Sequence, residues 1–298
     1  MLYLNMVITM ICKLCPHKCG IFKDCVTAGG VCGVSENIKV ARIAPHYWEE
    51  PVLSGTRGSG AVFFSGCTMK CIYCQNSEIS AENFGTLITP EILAEEFKKL
   101  EESGVHNIDL ISATQFLPQI LKAFDIYKPN IPIVYNCGGY ERVETLRALE
   151  GIVDIYLPDF KYSDNALAKE YSGVDDYVEI TTQAIKEMFR QTGALTLDDE
   201  GIAQKGVLVR HLVLPNHTKN SIGVLNILKE NFDSDVTVSL MGQYIPHHKA
   251  LSHPKLNRKI TKREYEKVLS HLMDLELDGF AQELKSADES YIPLWDYK

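Results

Sequence analysis

Residues 65–76 read SGCTMKCIYCQN, with Cys67, Cys71 and Cys74 in a C-x3-C-x2-C spacing. Thiolates bind soft metals, and iron–sulfur cubes usually take four of them. Three closely spaced thiolates leave one iron without a protein ligand, and an open coordination position lets a metal site bind a small molecule directly. The alternatives are three unrelated buried cysteines or a structural zinc site. Zinc takes a fourth ligand, and Cys137 can supply one from another strand end. A second group lies nearer the N-terminus, where Cys12, Cys15, Cys19 and Cys32 have C-x2-C-x3-C-x12-C spacing and Cys25 is a spare ligand. Four thiolates suit zinc or a second iron–sulfur cluster, and spacing alone does not separate the two.

The elements that position these groups alternate. Short runs rich in Val and Ile occur at 60–66, 107–112, 131–136, 153–158, 206–215 and 236–241, as buried parallel strands do. Helical patterns fall between or after them, at about 116–128, 140–150, 178–192, 219–231 and 261–275. A further helix begins at Thr89-Pro90, with an N-cap, a proline at its first position and Ile92, Leu93, Phe97 and Leu100 as its apolar face. Strand–helix alternation means βαβ units and a parallel sheet. Six strands fit an open (β/α) barrel or a doubly wound sheet, and both gather their chemistry at the carboxyl ends of the strands. The thiol triad begins where the first strand should end.

C-x3-C-x-aromatic-C in a loop after the first strand resembles the radical S-adenosylmethionine (SAM) superfamily. FFSGCTMKCIYCQN, VYNCGGYE, DIYLPDFKY, VRHLVLPN and QYIP look like its branch related to pyruvate formate-lyase activating enzyme. Within it, the chain resembles iron–sulfur proteins with an extra N-terminal cysteine segment, from about Cys12 to Tyr265. The resemblance implies a [4Fe–4S] cluster on Cys67, Cys71 and Cys74 whose free iron chelates SAM. Reductive cleavage would give methionine and a 5′-deoxyadenosyl radical, which takes hydrogen from a substrate. It places Tyr73 beside the adenine, Asn136 at an Asn-Gly-like turn, Asp159 and Lys161 at the SAM and substrate face, and Arg210 on the SAM carboxylate. An electron donor such as flavodoxin or ferredoxin is implied, and a glycine of a partner enzyme as the target. The chain departs from the pattern at the second strand's end, where Ser112-Ala113-Thr114-Gln115 stands in place of Gly-Gly-Glu. Backbone carbonyls and the Thr114 hydroxyl are the substitutes there, or Ser112 and Thr114 simply cap a helix.

Several residues carry plainer alternatives. Asp159 and Lys161 can form a structural pair, Asp154 at the opposite rim reads as structural, and Cys137 reads as a packed thiol. Arg210 and His211 alternate faces within one strand, so one points inward. His247, His248 and His253 lie in a loop that is either solvated or metal-binding, and Gln243, Tyr244 and His247 fall where the family lines its pocket. PHYWEEP, holding His46, Trp48, Glu49 and Glu50, either covers the barrel mouth or forms an exposed surface.

A formal net charge of −9 over 298 residues argues against non-specific binding to nucleic acid. The apolar start, MLYLNMVITMI, is too short to span a bilayer and lacks a signal-peptide pattern, so it reads as a strand or packing segment. Nine cysteines in dense groups point to metal ligation in a reducing, cytoplasmic setting. The expectation is a partial (β/α)6 barrel over 59–298 with a C-terminal helix, preceded by a cysteine-rich extension over 1–58. Functionally, the resemblance implies a radical SAM enzyme. The alternatives are a non-catalytic metal-binding or electron-transfer protein, or modification of a different peptide, RNA or metabolite.

Overall fold

The computed structural model describes residues 11–23, 28–282 and 295–297. Its strands are β1 (Ile38–His46), β2 (Ser59–Phe64), β3 (Thr86–Ile88), β4 (Ile108–Ile111), β5 (Ile133–Cys137), β6 (Ile155–Pro158), β7 (Thr196–Leu197), β8 (Ala203–Leu212), β9 (Thr237–Met241) and β10 (Gly279–Ala281). Its α-helices are α1 (Pro51–Ser54), α2 (Ser77–Ser80), α3 (Pro90–Glu102), α4 (Leu117–Ile126), α5 (Val143–Arg147), α6 (Asn165–Ser172), α7 (Tyr177–Thr192), α8 (Thr218–Phe232) and α9 (Lys262–Asp274).

The six expected runs became β2, β4, β5, β6, β8 and β9. They lie side by side in that order, all parallel, and β10 extends them. A doubly wound sheet would reverse its order at a switch point. This one advances in a single sense, as a barrel does, giving an α/β fold consistent with a partial barrel. β1 and β3 add to the β2 edge in antiparallel fashion. Beyond the apolar start, the sequence reading placed no strand before residue 59, yet β1 pairs with β2 from Val40 to His46.

Helix boundaries follow local chemistry. The Thr89 hydroxyl accepts from Ile92 N, and α3 buries Leu93, Ala94, Phe97 and Leu100. Ile92 itself faces solvent, which corrects its place on the apolar face. Thr261 and Glu264 close a reciprocal capping box on α9. The main core lies between sheet and helices, where α3 and α4 stack Phe97 on Phe124 at 5.0 Å.

A separate apolar cluster fills the barrel interior. Val52 and Leu53 of α1 pack against Val134, Ile155, Leu157 and Leu208, the inward-facing positions of three strands. PHYWEEP therefore does not lie at the mouth. β1 runs antiparallel to β2, so His46 pairs with Ser59, the first residue of β2. The chain leaves β1 at the amino end of the barrel and plugs it from below. Tyr47 and Trp48 stay exposed there. No helix among the described residues is long and apolar enough to cross a membrane. The expected packing segment falls, but for Ile11, outside the described residues.

Candidate active site

β2 hands the chain to Gly66, whose φ of +79° turns it out of the strand. A Cβ there would lie 2.6 Å from Val34 Cγ1 and 2.7 Å from the Cys32 carbonyl oxygen, so glycine is what lets this loop approach the N-terminal segment. Gln115 pins the same corner, its Nε2 lying 3.1 Å from Ser65 O, 3.0 Å from Gly66 O and 2.7 Å from Ser112 O. The thiols of Cys67, Cys71 and Cys74 follow, all free. Ser172 Oγ donates to Cys71 Sγ at 2.9 Å, Ser80 Oγ to Cys74 Sγ at 3.3 Å and Met69 N to Cys67 Sγ at 3.4 Å. Burial pushes the Cys67 thiol up to about 12, helped by Cys71. It raises Cys71 as well, against the pull of Lys161.

These sulfurs line a cavity of about 200 Å³ at the carboxyl ends of the strands, together with Tyr73, Asn136, Asp159, Lys161 and Arg210. Tyr73 is fixed by a chain of hydroxyls, to Tyr162 at 2.8 Å and from Tyr162 to Ser172 at 2.6 Å. Opposite, Lys161 Nζ sits 2.5 Å from Asp159 Oδ2. The Arg210 guanidinium donates to Asp159 Oδ1 at 2.8 Å, Asn136 Oδ1 at 2.7 Å and Glu49 Oε2 at 3.1 Å. Burial opposes the charge on Asp159, but Arg210 and Lys161 outweigh it and hold this carboxyl below its ordinary value. Burial likewise opposes the charge on Lys161, and Asp159 and the Cys71 sulfur outweigh it. The result is a cavity lined by three thiols and two paired cations.

A model of the radical SAM superfamily matches residues 61–225. The chain belongs to the radical SAM superfamily. It is 32% identical over 276 residues to an uncharacterised protein of Methanocaldococcus jannaschii, covering 90% of this chain and 75% of that one. Streptococcus suis SuiB bound to its precursor peptide SuiA superposes with a TM-score of 0.50 at 13% identity, over 74% of this chain and 48% of SuiB. A radical SAM methyltransferase from Sphaerobacter thermophilus gives 0.50 at 11% identity, over 74% and 65%. At such identities the two structures show a shared fold. The chain spans about half of SuiB, which has also been solved with SAM.

The residues fit the cofactors this family implies, a [4Fe–4S] cluster and SAM. The donor set is three unpaired thiols on one loop, facing a cavity lined by charge and by Tyr73. Among the described residues, no three His, Cys, Asp or Glu side chains surround a single-ion position. Cys137 is buried at the end of β5, its thiol raised well above the usual value by burial. The three loop histidines are not gathered around an ion position either. Gln243 and Tyr244 line the cavity, whereas His247 is not among its walls.

Of Arg210 and His211, Arg210 points inward. His211 is buried on the other face with Nδ1 2.6 Å from Phe160 O, and burial lowers its pKa to about 4. Asp154 accepts from Ile133 N at 2.9 Å, a contact at the lower rim. Neither Ser112 nor Thr114 caps a helix, since the short turn beginning at Thr114 has no side-chain cap. Thr114 instead donates to Glu141 Oε1 at 2.7 Å and is not among the cavity walls, so only Ser112 of that stretch lines the cavity.

Sequence reading assigned no role to one acid and misplaced two others. Glu141 is fully buried, and burial lifts its pKa to about 7 against hydrogen bonds from Thr114 and Tyr135. It follows a Gly-Gly turn just before α5, where an acid reads as an ordinary first-turn residue. Glu49 and Glu50 enter the barrel interior from below. Glu50 lies beside Ser239, its pKa raised by burial against Arg210, and Asp109 is raised the same way, with Glu49 adding to it. The only sequence signal for Glu49 and Glu50 was two acids beside an aromatic.

Proposed function

We propose that this protein reductively cleaves SAM at a [4Fe–4S] cluster held by Cys67, Cys71 and Cys74, and abstracts hydrogen from a peptide or protein substrate. The observation that carries the reading is three free thiols sharing one cavity with Tyr73, Asp159, Lys161 and Arg210 at the strands' carboxyl ends. Bound there, the cluster supplies one electron and an open iron, so that SAM yields methionine and a 5′-deoxyadenosyl radical. The chain's own residues bind and orient. Lys161 and Arg210 offer positive charge to the SAM carboxylate, and two of the five guanidinium N–H groups remain for it beyond the three bonds described. Tyr73 presents its ring to the adenine, and Asn136 and Asp159 hold Arg210 in place. With no Gly-Gly-Glu stretch, the Ser112 backbone takes the SAM amino group. The cavity walls keep water from a reactive intermediate.

The activase-like motifs support a backbone glycine of a partner enzyme as substrate, and the peptide complex of SuiB supports a polypeptide more generally. A flavodoxin or ferredoxin serves as electron donor, and the cytoplasm as the setting. The test is anaerobic reconstitution with iron and sulfide, then SAM and a strong reductant, reading 5′-deoxyadenosine. Wild type should form it, and Cys71→Ala should fall to the no-protein background. Equal nucleoside formation by that variant would overturn the assignment.

A further inference from the structure

Residues 11–23 and 28–34 add little to the hydrophobic core: Ile11 is 59% and Phe22 47% exposed, Leu14 and Ile21 are half-buried, and Cys32 and Val34 are the residues that join the main core. A unit this small needs a staple in place of a core. Among the described residues disulfides do not supply it, because Cys12, Cys15, Cys19 and Cys32 are all free thiols, and Cys25 lies outside the described residues.

The backbone instead wraps the sulfurs. An Ile11–Phe22 bridge closes a turn that carries Cys12, Cys15 and Cys19, and a Gly29–Val34 bridge closes one that carries Cys32. Lys18, Gly20, Gly30 and Gly33 all have positive φ, from +44° to +70°, which keeps both turns tight. The two turns meet at Cys19, whose Sγ lies 3.0 Å from where a Cβ would stand on Gly30.

We propose that Cys12, Cys15, Cys19 and Cys32 hold a second thiolate-bound metal centre, zinc or iron–sulfur, separate from that of the Cys67 loop. As folded, the sulfurs do not surround a single-ion position. Zinc must draw them in to about 2.3 Å from one point, whereas an iron–sulfur cluster bridges them. The centre abuts the catalytic loop. His17 Nε2 lies 2.7 Å from Thr68 O, and Lys70 donates to the Cys32 carbonyl at 3.5 Å and to Ser80 O at 2.6 Å. Ser80 in turn donates from its hydroxyl to Cys74 Sγ at 3.3 Å, so the Lys70 ammonium links the backbone of Cys32 to a residue that touches the second thiol group. The second centre braces the loop that bears the first.

The proposal does not depend on the radical SAM reading, and its test removes the first site. The full chain carrying Cys67→Ser, Cys71→Ser and Cys74→Ser is purified without oxygen, and zinc, iron and acid-labile sulfide are counted per chain. About one zinc, or about four iron with matching sulfide, is expected. Adding Cys12→Ser, Cys15→Ser and Cys32→Ser should abolish it. A folded triple variant with less than about a tenth of an equivalent of either metal overturns the proposal, as does metal unchanged in the six-fold variant. If the triple variant does not fold, the wild type decides. About four iron and no zinc overturns the second centre, whereas about one extra zinc or about eight iron supports it.

Discussion

The pairing of Glu49 with Arg210 offers a sharp test, because it joins the plug to the cavity wall. Both side chains are nearly buried, at 11% and 15% exposure, and meet at 3.1 Å. Replacing Arg210 with methionine leaves Asp159 its Lys161 partner at 2.5 Å. Glu49 keeps only Asn136 Nδ2, at a long 3.4 Å. Removing one partner of a buried pair costs about 3 to 5 kcal/mol, mostly for the charge left behind. Glu49→Gln alone keeps the shape, and Arg210 retains Asp159 and Asn136, so this change should cost about 1 to 2 kcal/mol. In the double variant no carboxylate is stranded at position 49. Its cost should fall short of the summed single costs by about 2 to 4 kcal/mol, in the range of close charge pairs. Urea unfolding of the full chain, at constant slope across the four proteins, measures this directly. Additivity within about 0.5 kcal/mol would refute the pairing and the plugged interior with it.

Glu141 predicts a pH effect. Its folded pKa of about 7 lies above the ordinary 4.5, so between these values the folded state holds a proton that the unfolded chain has lost. Stability from this group is present below pH 4.5 and lost as pH rises toward 7, by about 3 kcal/mol at full size. The stability difference between wild type and Glu141→Gln should shrink by that order across this window, and a flat difference would count against the buried acid. His211 has the opposite sign, since its folded pKa of about 4 lies below 6.5. Its contribution grows as pH rises through that range, so the two slopes partly cancel in the wild type. Gly66→Ala places a methyl 2.6 Å from Val34 and 2.7 Å from the Cys32 carbonyl at φ +79°. It should cost about 2 to 4 kcal/mol and lower iron retained after reconstitution; unchanged melting and iron content would contradict the close approach. Gln115→Leu removes three bonds to buried carbonyls and should cost about 2 to 3 kcal/mol, read by thermal melting.

The parallel strands were legible because a strand buried on both faces writes itself as a run of Val and Ile, and α3 because Thr89-Pro90 is a local start signal. That one of Arg210 and His211 faces inward was legible from alternation within β8, and the family resemblance singled out Arg210. Its partner was not, because Glu49 lies 161 residues away and no local pattern announces a contact of that span. PHYWEEP was misplaced for a topological reason. Where that segment goes depends on β1 running against β2, which only pairing reveals. The family model begins at residue 61, and two supports of the site lie before it. From above, Cys32 and His17 brace the loop of Cys67. From below, Glu49 completes the charge balance that Asp159, Arg210 and Lys161 begin. With Glu50 and Asp109 raised toward their neutral forms by burial, Glu49 and Asp159 face two cations, Arg210 and Lys161. Under the proposed function, a SAM carboxylate would enter a wall whose charges already pair and would gain through the remaining guanidinium donors rather than through an unpaired cation. The segment before residue 61 thus sets both the support of the cluster loop and the polarity of the cavity it faces.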